Sequence, residues 1–368
     1  DYMGSTSGTR SGGLAVGKSF AHLRTAALAD VVLREVWGIC GVPHAVWLPV
    51  LPSSAGLNNV LRLAVTGDAP EHWFSHVDPA VRGVTDSKRL ANRMVPAVGR
   101  WFGVPLPRAT HTTPEDPAGI LDWCHRARRR SPTVAITTYA TSAVALASAA
   151  ADAGTDLDGV VLRVGGEPLT SAKKAAVEAL GAAVTSNYAF AQLGRVASSC
   201  PWCAADDLHL LDHHAAVTTR RRAGPDGHEV DALCWTSLDP ATPNVFVNVE
   251  NDDYATVVAE DEACACWLGS IGMRTRVRSV RGISKVVAGG VTLPGHRFEA
   301  LVEQVLPGRF GGGPVSYQFA EHEEAGTSTL VLRIDPAVGG IDEDEVVSEL
   351  RRELRRDDVG VLADDVWQ

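Results

Sequence analysis

The sequence has no run of the roughly 18 to 20 apolar residues that a membrane-spanning helix needs. Its most apolar stretch, Ala135–Ala151, is interrupted by Thr, Tyr and Ser and reads as a buried helix. A basic surplus is also missing, since 44 Asp+Glu against 34 Lys+Arg give a formal charge of −10. That balance argues against nucleic acid or an anionic membrane surface as partner. The basic runs at 126–130 and 220–222 are short and read as solvated turns or helix ends. The nucleophile-elbow pattern GxSxG does not occur, so no Ser-His-Asp arrangement can be argued. No basic-then-apolar leader precedes the first helical pattern; no secretory leader is expected, and further residues are expected before Asp1. Seven cysteines, an odd number in a long chain, suit reduced thiols and metal ligands in a cytoplasm better than bridges. What is present suffices for a core: 368 residues, 45% hydrophobic and 21% charged, exclude disorder and suggest about two domains.

The chain opens on a Gly/Ser/Thr-rich loop over residues 1–19. Apolar positions then recur at helical spacing from Phe20 to Trp37 (Leu23, Ala27, Leu28, Val31, Val32). Apolar strand-like runs at 45–51, 134–138 and 160–164 are separated by helical stretches at 117–129, 142–153 and 171–180. That alternation means α/β. From 208 to 258 the pattern turns to short β-rich segments, including 232–238 and 244–249, with Gly-Pro-Asp-Gly at 224–227 as a turn. The tail from about Arg281 reads as a separate α+β lobe, with strands at 286–287 and 329–334 and helices at 297–306 and 343–355. The last helix places Val346, Val347, Leu350 and Leu354 on one face behind an acidic first turn that suits the helix dipole. No internal repeat is visible.

Three segments carry chemistry. Ser5-Thr6-Ser7-Gly8-Thr9-Arg10 is a small-residue run whose amides and hydroxyls can bond phosphate oxygens. Overlapping its end, Gly12 to Ser19 matches GxxxxGK[ST] literally, but the residues before it are polar and Gly-rich where a phosphate loop of that type follows a buried strand. The alternative is a loop leading into a helix with Ser19 as cap. The second segment is Val160-Val161-Leu162-Arg163-Val164 breaking into Gly165-Gly166-Glu167-Pro168, at the carboxyl end of a strand, where α/β proteins place ligands. The third runs from Ala183-Val184 into Asn187-Tyr188-Ala189-Phe190-Ala191-Gln192, again a strand ending in an aromatic and polar loop.

In this order the pieces resemble the adenylate-forming (ANL) superfamily, and within it the phenylacetate-CoA ligase-like branch. The segment Leu306-Pro307-Gly308-Arg309-Phe310-Gly311-Gly312 with Tyr317-Gln318 is similar to short members of phenazine and other secondary-metabolite pathways. The resemblance implies a large N-terminal domain of α/β layers with a β-rich subdomain over residues 1–280, and a small C-terminal α+β lobe over 281–368. It implies ATP-dependent activation of a small, aromatic carboxylate as an acyl-adenylate, followed by transfer to CoA or an amine. Ser5 to Arg10 would hold the ATP phosphates, Gly165 to Pro168 the adenine, and Asn187, Tyr188 and Ala189 the nucleotide. All three segments would then meet at one hollow. A homodimer is compatible with it.

This sequence departs from that pattern where charge matters. Arg10 replaces the phosphate loop's second threonine. Gln192 stands where the family has a glutamate that contacts Mg²⁺, and a neutral amide is the poorer ligand. Val258 falls where an aspartate should hold the ribose hydroxyls, leaving Asp252 and Asp253 as the nearby substitutes, with Asp253 the candidate ribose contact. No lysine follows Lys285, so the C-terminal lysine of the family has no counterpart and Lys285 is the replacement cation on offer. The alternative is therefore a homologue that binds nucleotide or aryl acid without adenylating it, or an acyltransferase working on a preactivated substrate.

Two close cysteine pairs, Cys200-Pro201-Trp202-Cys203 and Cys264-Ala265-Cys266, supply four soft thiolates, enough for a closed tetrahedral Zn²⁺ site of structural type. His209 in place of one cysteine is a variant of the same site. Cys40, Cys124 and Cys234 sit in apolar surroundings and read as core. His209 and His213 would share a face only on a helix, and 208–217 reads as a strand, so a second metal site is not expected there.

Overall fold

The computed structural model describes residues 2–5, 15–51, 53–78, 86–223, 229–259, 264–283, 286–288, 291–293, 299–324 and 327–354. It divides into two compact units: residues 1–217, 235–249 and 257–278 form the first, and 218–234, 250–256 and 279–368 the second. The architecture is a large α/β unit with a mixed sheet and a smaller α+β lobe.

The first unit begins with a hairpin in which β1 (Tyr2–Ser5) pairs antiparallel with β2 (Ala15–Lys18). Helix α1 (Phe20–Val36) follows, its N-terminus capped by Ser19, whose hydroxyl accepts from the His22 amide at 3.1 Å. The layered core comes next: β3 (His44–Trp47), α2 (Ala55–Val65), β4 (His72–Ser75), α3 (Asp86–Trp101), β5 (Ala109–His111), α4 (Ala118–Arg128), β6 (Val134–Thr138), α5 (Ala140–Asp152), β7 (Val160–Gly165), α6 (Ser171–Glu178) and β8 (Ala183–Phe190). Strands β8, β7, β6, β3, β4 and β5 lie side by side in that order, all parallel. Both faces of such a sheet must be covered, so β3, β6 and the body of β7 are buried at every position instead of alternating. Ile120, Trp123, Leu146, Leu162 and Val177 pack over one face, and Leu57, Val60, Leu63 and Trp73 belong to a separate cluster.

From β8 the pairing turns antiparallel through β9 (Gly194–Ser198), β10 (Asp207–Leu210) and the first half of β14 (Thr275–Gly282). The expected loop after 184 is instead strand as far as Phe190, with a bulge at Tyr188/Ala189 and a turn at 191–193. Strands β11 (Ala215–Ala223), β12 (Glu229–Ser237) and β13 (Val249–Ala259) divide their residues between the units. The strand expected at 244–249 does not form: residues 244–248 lack regular structure and Asn244 turns its amide to other backbone. The turn at 224–227 lies outside the described residues.

In the second unit, β15 (Val286–Ala288) pairs with β16 (Val291–Leu293), and β17 (Tyr317–Glu324) with β18 (Thr327–Ile334), both antiparallel. Leu306, Tyr317 and Val346 form its small core, joined by Val302, Phe310, Leu332 and Leu350. The helix Glu343–Leu354 has the expected acidic start, with Arg309 bonded to Glu345 and to buried Glu349, but Val347 faces outward at 44% exposure. No helix among the described residues is long and apolar enough to cross a membrane.

Candidate functional site

In the parallel sheet the chain steps outward from β3 to β4 and β5, then returns to β6 on the other side of β3. A reversal of this kind leaves a crevice at the carboxyl ends of the strands on either side of it. A cavity of about 590 Å³ lies there. Leu48 borders it from the end of β3, Thr137, Thr138 and Tyr139 from β6, Val164, Gly165 and Gly166 from β7, and Asn187 with Ala189 to Gln192 from β8 and its turn. Two of the three segments singled out in the sequence thus meet at one hollow. For the first segment, Thr6, Ser7, Gly8, Thr9 and Arg10 lie outside the described residues, and Ser5 ends β1 opposite Ala15. The strand that leaves this segment delivers Lys18 to the cavity.

Lys18 overturns the phosphate-loop match by its backbone. Residues 15–18 are strand and the helix begins only at Phe20, so Lys18 does not stand at a helix N-terminus behind a glycine loop. Its ammonium instead donates to the Ala191 carbonyl, and burial pulls its pKa down. Asn244 Nδ2 donates to the Gln192 carbonyl at 2.8 Å and to the Gly17 carbonyl at 3.2 Å. The β8–β9 turn is therefore fastened to β2 from both sides.

The glycines at the end of β7 are there for conformation and space. Gly166 has φ +80°, and a Cβ on it would stand 3.0 Å from the Tyr139 ring. Glu167 does not line the cavity: its carboxylate accepts from the Thr141 amide and hydroxyl, both at 2.9 Å, at the start of α5. Pro168 is likewise not among the lining residues. Asn187 bridges neighbouring strands, donating to the Val164 carbonyl at 3.1 Å and accepting from Ser198 at 3.0 Å. Tyr188 points away from the cavity lining and joins Phe190 and Trp235 in an aromatic cluster, with ring centroids 6.0 and 5.8 Å apart. Asp253 lies on β13 in the second unit, where Asn251 donates to it at 2.9 Å. Lys285 lies outside the described residues.

The cavity also holds residues the motif reading passed over. Arg62 of α2, Arg163 of β7 and Arg195 of β9 line it. All three converge on Asp30 of α1, which is 1% exposed: Arg163 at 2.5 Å, Arg195 in direct contact and Arg62 at 3.8 Å. The Asp30 carboxylate opposes its own burial through these guanidiniums and is held well below the usual carboxylate range. Burial, with Arg62 beside it, brings Arg195 down to about 9. The signal in the sequence was an arginine at the centre of an apolar strand and an aspartate on the inner side of an apolar helix.

The cysteine pairs come together as well. Cys200, His209, Cys264 and Cys266 present their donor atoms within 4.8 Å of one another. Cys200 Sγ is 3.8 Å from Cys264 Sγ, and Cys266 Sγ is 3.4 Å from His209 Nε2. About 3.8 and 3.5 Å are the edges of a tetrahedron with Zn–S near 2.3 and Zn–N near 2.05 Å. His209 Nδ1 bonds the Met273 carbonyl at 2.8 Å, the kind of second partner that orients a ligating imidazole, while Nε2 also meets Arg276 Nη1 at 2.7 Å. Cys203, expected as the fourth thiolate, lies 3.4 Å from Cys200, but its sulfur accepts from Arg276 Nη2 at 2.9 Å. The hydrogen bond between the two pulls Cys203 down and drives Cys200 upward. Gly269 is required beside this cluster, since a Cβ there would stand 2.2 Å from the Cys264 carbonyl oxygen. Cys124 and Cys234 are buried and Cys40 half-buried; burial pushes Cys40 and Cys124 up to about 12, as inert core thiols. His213 and His214 sit in a turn between β10 and β11. His214 joins His22 and Asp239 in a second compact group, with His22 Nδ1 2.9 Å from Asp239.

The fold is one already seen in a CoA ligase and a coenzyme A synthetase. A 2-hydroxyisobutyryl-CoA ligase in its postadenylation state superposes with a TM-score of 0.55 at 16% identity, over 96% of this chain and 66% of that one. The O-succinylbenzoate coenzyme A synthetase from Bacillus subtilis, in complex with ATP and magnesium ion, gives 0.54 at 12% identity, over 96% and 63%. This chain thus spans less than two thirds of the length of these structures. No protein-family model matches the sequence, and no curated protein does.

Proposed function

We propose that this chain is the core of an ATP-dependent, adenylate-forming ligase. It would activate a small carboxylate as an acyl-adenylate and pass the acyl group to a thiol such as CoA, or to an amine. The observation that carries this is the meeting of the β7 and β8 strand ends at one 590 Å³ cavity, within a fold shared with acyl-CoA ligases. ATP and its AMP product would lie against Gly165, Gly166 and the Asn187–Gln192 segment, with Ser5 to Arg10 on the phosphates and Mg²⁺ held mainly by phosphate oxygens, because Gln192 offers no charge. Lys18, half-buried at this cavity, would supply positive charge where negative charge develops on the α-phosphate. Phe190, stacked on Phe246 and tilted against Trp235, supports the aromatic acid expected from the family resemblance. Asp253 and Lys285 remain the candidates for the ribose and the lobe cation, residues 281–368 the small lobe, and a cytoplasmic, secondary-metabolic setting part of the same reading. Carboxylate-dependent exchange of labelled pyrophosphate into ATP tests it: exchange with at least one acid of a panel is expected. Silence with every acid, alongside measurable AMP binding, transfers the chain to the non-adenylating reading that the neutral Gln192 favours.

A structural Zn²⁺ belongs to this proposal, held by Cys200, Cys264, Cys266 and His209, with Cys203 as the competing fourth ligand. Four protein donors leave no open position for a catalytic water. About one zinc per chain is expected from elemental analysis of the purified protein, falling with the Cys264→Ser substitution. Well under one zinc per wild-type chain removes the metal.

A further inference from the structure

The cationic wall of the cavity is not neutralised by the protein. Four guanidiniums, those of Arg34, Arg62, Arg163 and Arg195, gather around Asp30, and the second carboxylate in the group, Asp68, is taken by Arg34. Two positive charges are left over, and they lie on the side of Arg62, Arg163 and Arg195, the three that line the cavity. Lys18 adds a further cation, and among the described lining residues none is acidic. Charges this deep are expensive to leave unpaired, several kcal/mol each by general reckoning of about that size. Arg163 is 3% exposed, and Arg62 Nε has no hydrogen-bond partner among the described residues. Thr138, 1% exposed and on the cavity lining, likewise leaves its hydroxyl without a partner. The wall therefore has the charge, the unused donors and the access that an anion requires.

Asp30 also aims the wall. Arg163 spends both terminal nitrogens on the two Asp30 oxygens, whereas Arg195 reaches Asp30 through Nη1 alone, so Arg195 is held in place with donor capacity left for a carboxylate. The adjoining cavity surface, from Ser53 and Ser54 and from Asn58 and Asn59 of α2, is polar but neutral, with Asn59 accepting from Arg62 and donating to the Ala55 carbonyl at 2.9 Å, a surface that suits a single carboxylate more than a polyphosphate. Resting on the adenylating function proposed above, we propose that the acid taken by this cavity carries a second anionic group, a carboxylate, which docks on Arg62 and Arg195. One carboxyl group is activated while the other anchors the molecule.

Matched acids test this directly: benzoate against isophthalate, and propionate against succinate. Each pair is measured by pyrophosphate exchange and, separately, by calorimetric binding without ATP. The diacid is expected to surpass its monoacid by at least about tenfold in both, the scale of one charge-assisted bond pair. Arg62→Met, at the partly open edge of the cluster, is expected to shrink that ratio by about tenfold, with its thermal midpoint checked for folding; the wild-type comparison stands without it. Equal exchange and equal binding by monoacids and diacids overturn the proposal while leaving adenylation intact. Tighter diacid binding with no exchange for any acid upholds the anion subsite and rejects the ligase reading. If Arg62→Met weakens ATP about tenfold and leaves the diacid ratio unchanged, the wall serves nucleotide phosphate, and the proposal is overturned.

Discussion

At the scale of single residues, the cavity is governed by what a side chain would block as much as by what one supplies. Gly166 holds φ +80° at the carboxyl end of β7, directly beneath the Tyr139 ring. An L-residue at that dihedral costs about 1–2 kcal/mol before any contact is counted, and the new methyl carbon would press the ring from 3.0 Å. Tyr139 lines the cavity, so the displaced ring reaches the binding surface as well as the core. Gly166→Ala is expected to lower stability by about 1–2 kcal/mol in urea denaturation, and to weaken AMP binding. An unchanged denaturation midpoint means that the turn is not strained as described. Lys18 gives the complementary lesson: a literal GxxxxGK[ST] string places its lysine in a strand, because a motif carries chemistry only when its backbone takes the matching shape.

At the scale of elements, what was legible followed from local period. Strand β6 occupies 134–138 as the apolar run indicated, and α1, α4, α5 and α6 form where apolar residues recur every three or four positions. The Ser19 cap, the Gly-Gly break after β7 and the pairing of the two cysteine clusters were legible for similar reasons. The β8 extension was not, because its continuation as strand depends on antiparallel pairing with β9 across a bulge, and the polar residues Asn187 and Gln192 gave the appearance of a loop. The arginine wall was least legible. Asp30 and Arg163 are 133 positions apart, and Lys18 and Ala191 are 173 apart. Periodicity tells which face of α1 turns inward, but not which charge waits opposite it. His209 was offered by the sequence as a variant member of the cysteine group; what the sequence did not show is its surroundings, since β10 pairing with β14 brings Met273 and Arg276 to its ring.

At the scale of the whole molecule, buried histidines set how stability responds to acid. His44 is wholly enclosed, bonded to Thr137 at 2.9 Å, and burial, reinforced by Arg163, puts its pKa well below the ordinary value near 6.5. His76 is stacked on Trp47 at 5.0 Å, bonded to Ser142 and flanked by Tyr139; burial brings it to about 4, against a weak opposing pull from Glu115. A histidine depressed in the folded state is neutral in both states above its unfolded value and adds nothing to the pH slope there. Below about 6.5 the unfolded chain takes up a proton that the folded chain refuses, so stability falls with falling pH. The slope approaches about 1.4 kcal/mol per pH unit for His44 and less for His76, whose ring is partly open to solvent. Asp30 acts in a separate window, since a carboxylate held below its usual range gives up stability only under about pH 4. The urea midpoint is therefore expected to hold between pH 8 and 7 and to decline from 6.5 to 4.5. His76→Gln, which keeps a hydrogen-bonding side chain for Ser142 but cannot titrate, should make that decline shallower. A midpoint that stays level from pH 7 to 5 shows that these rings already carry their proton in the folded chain, or exchange it freely with water.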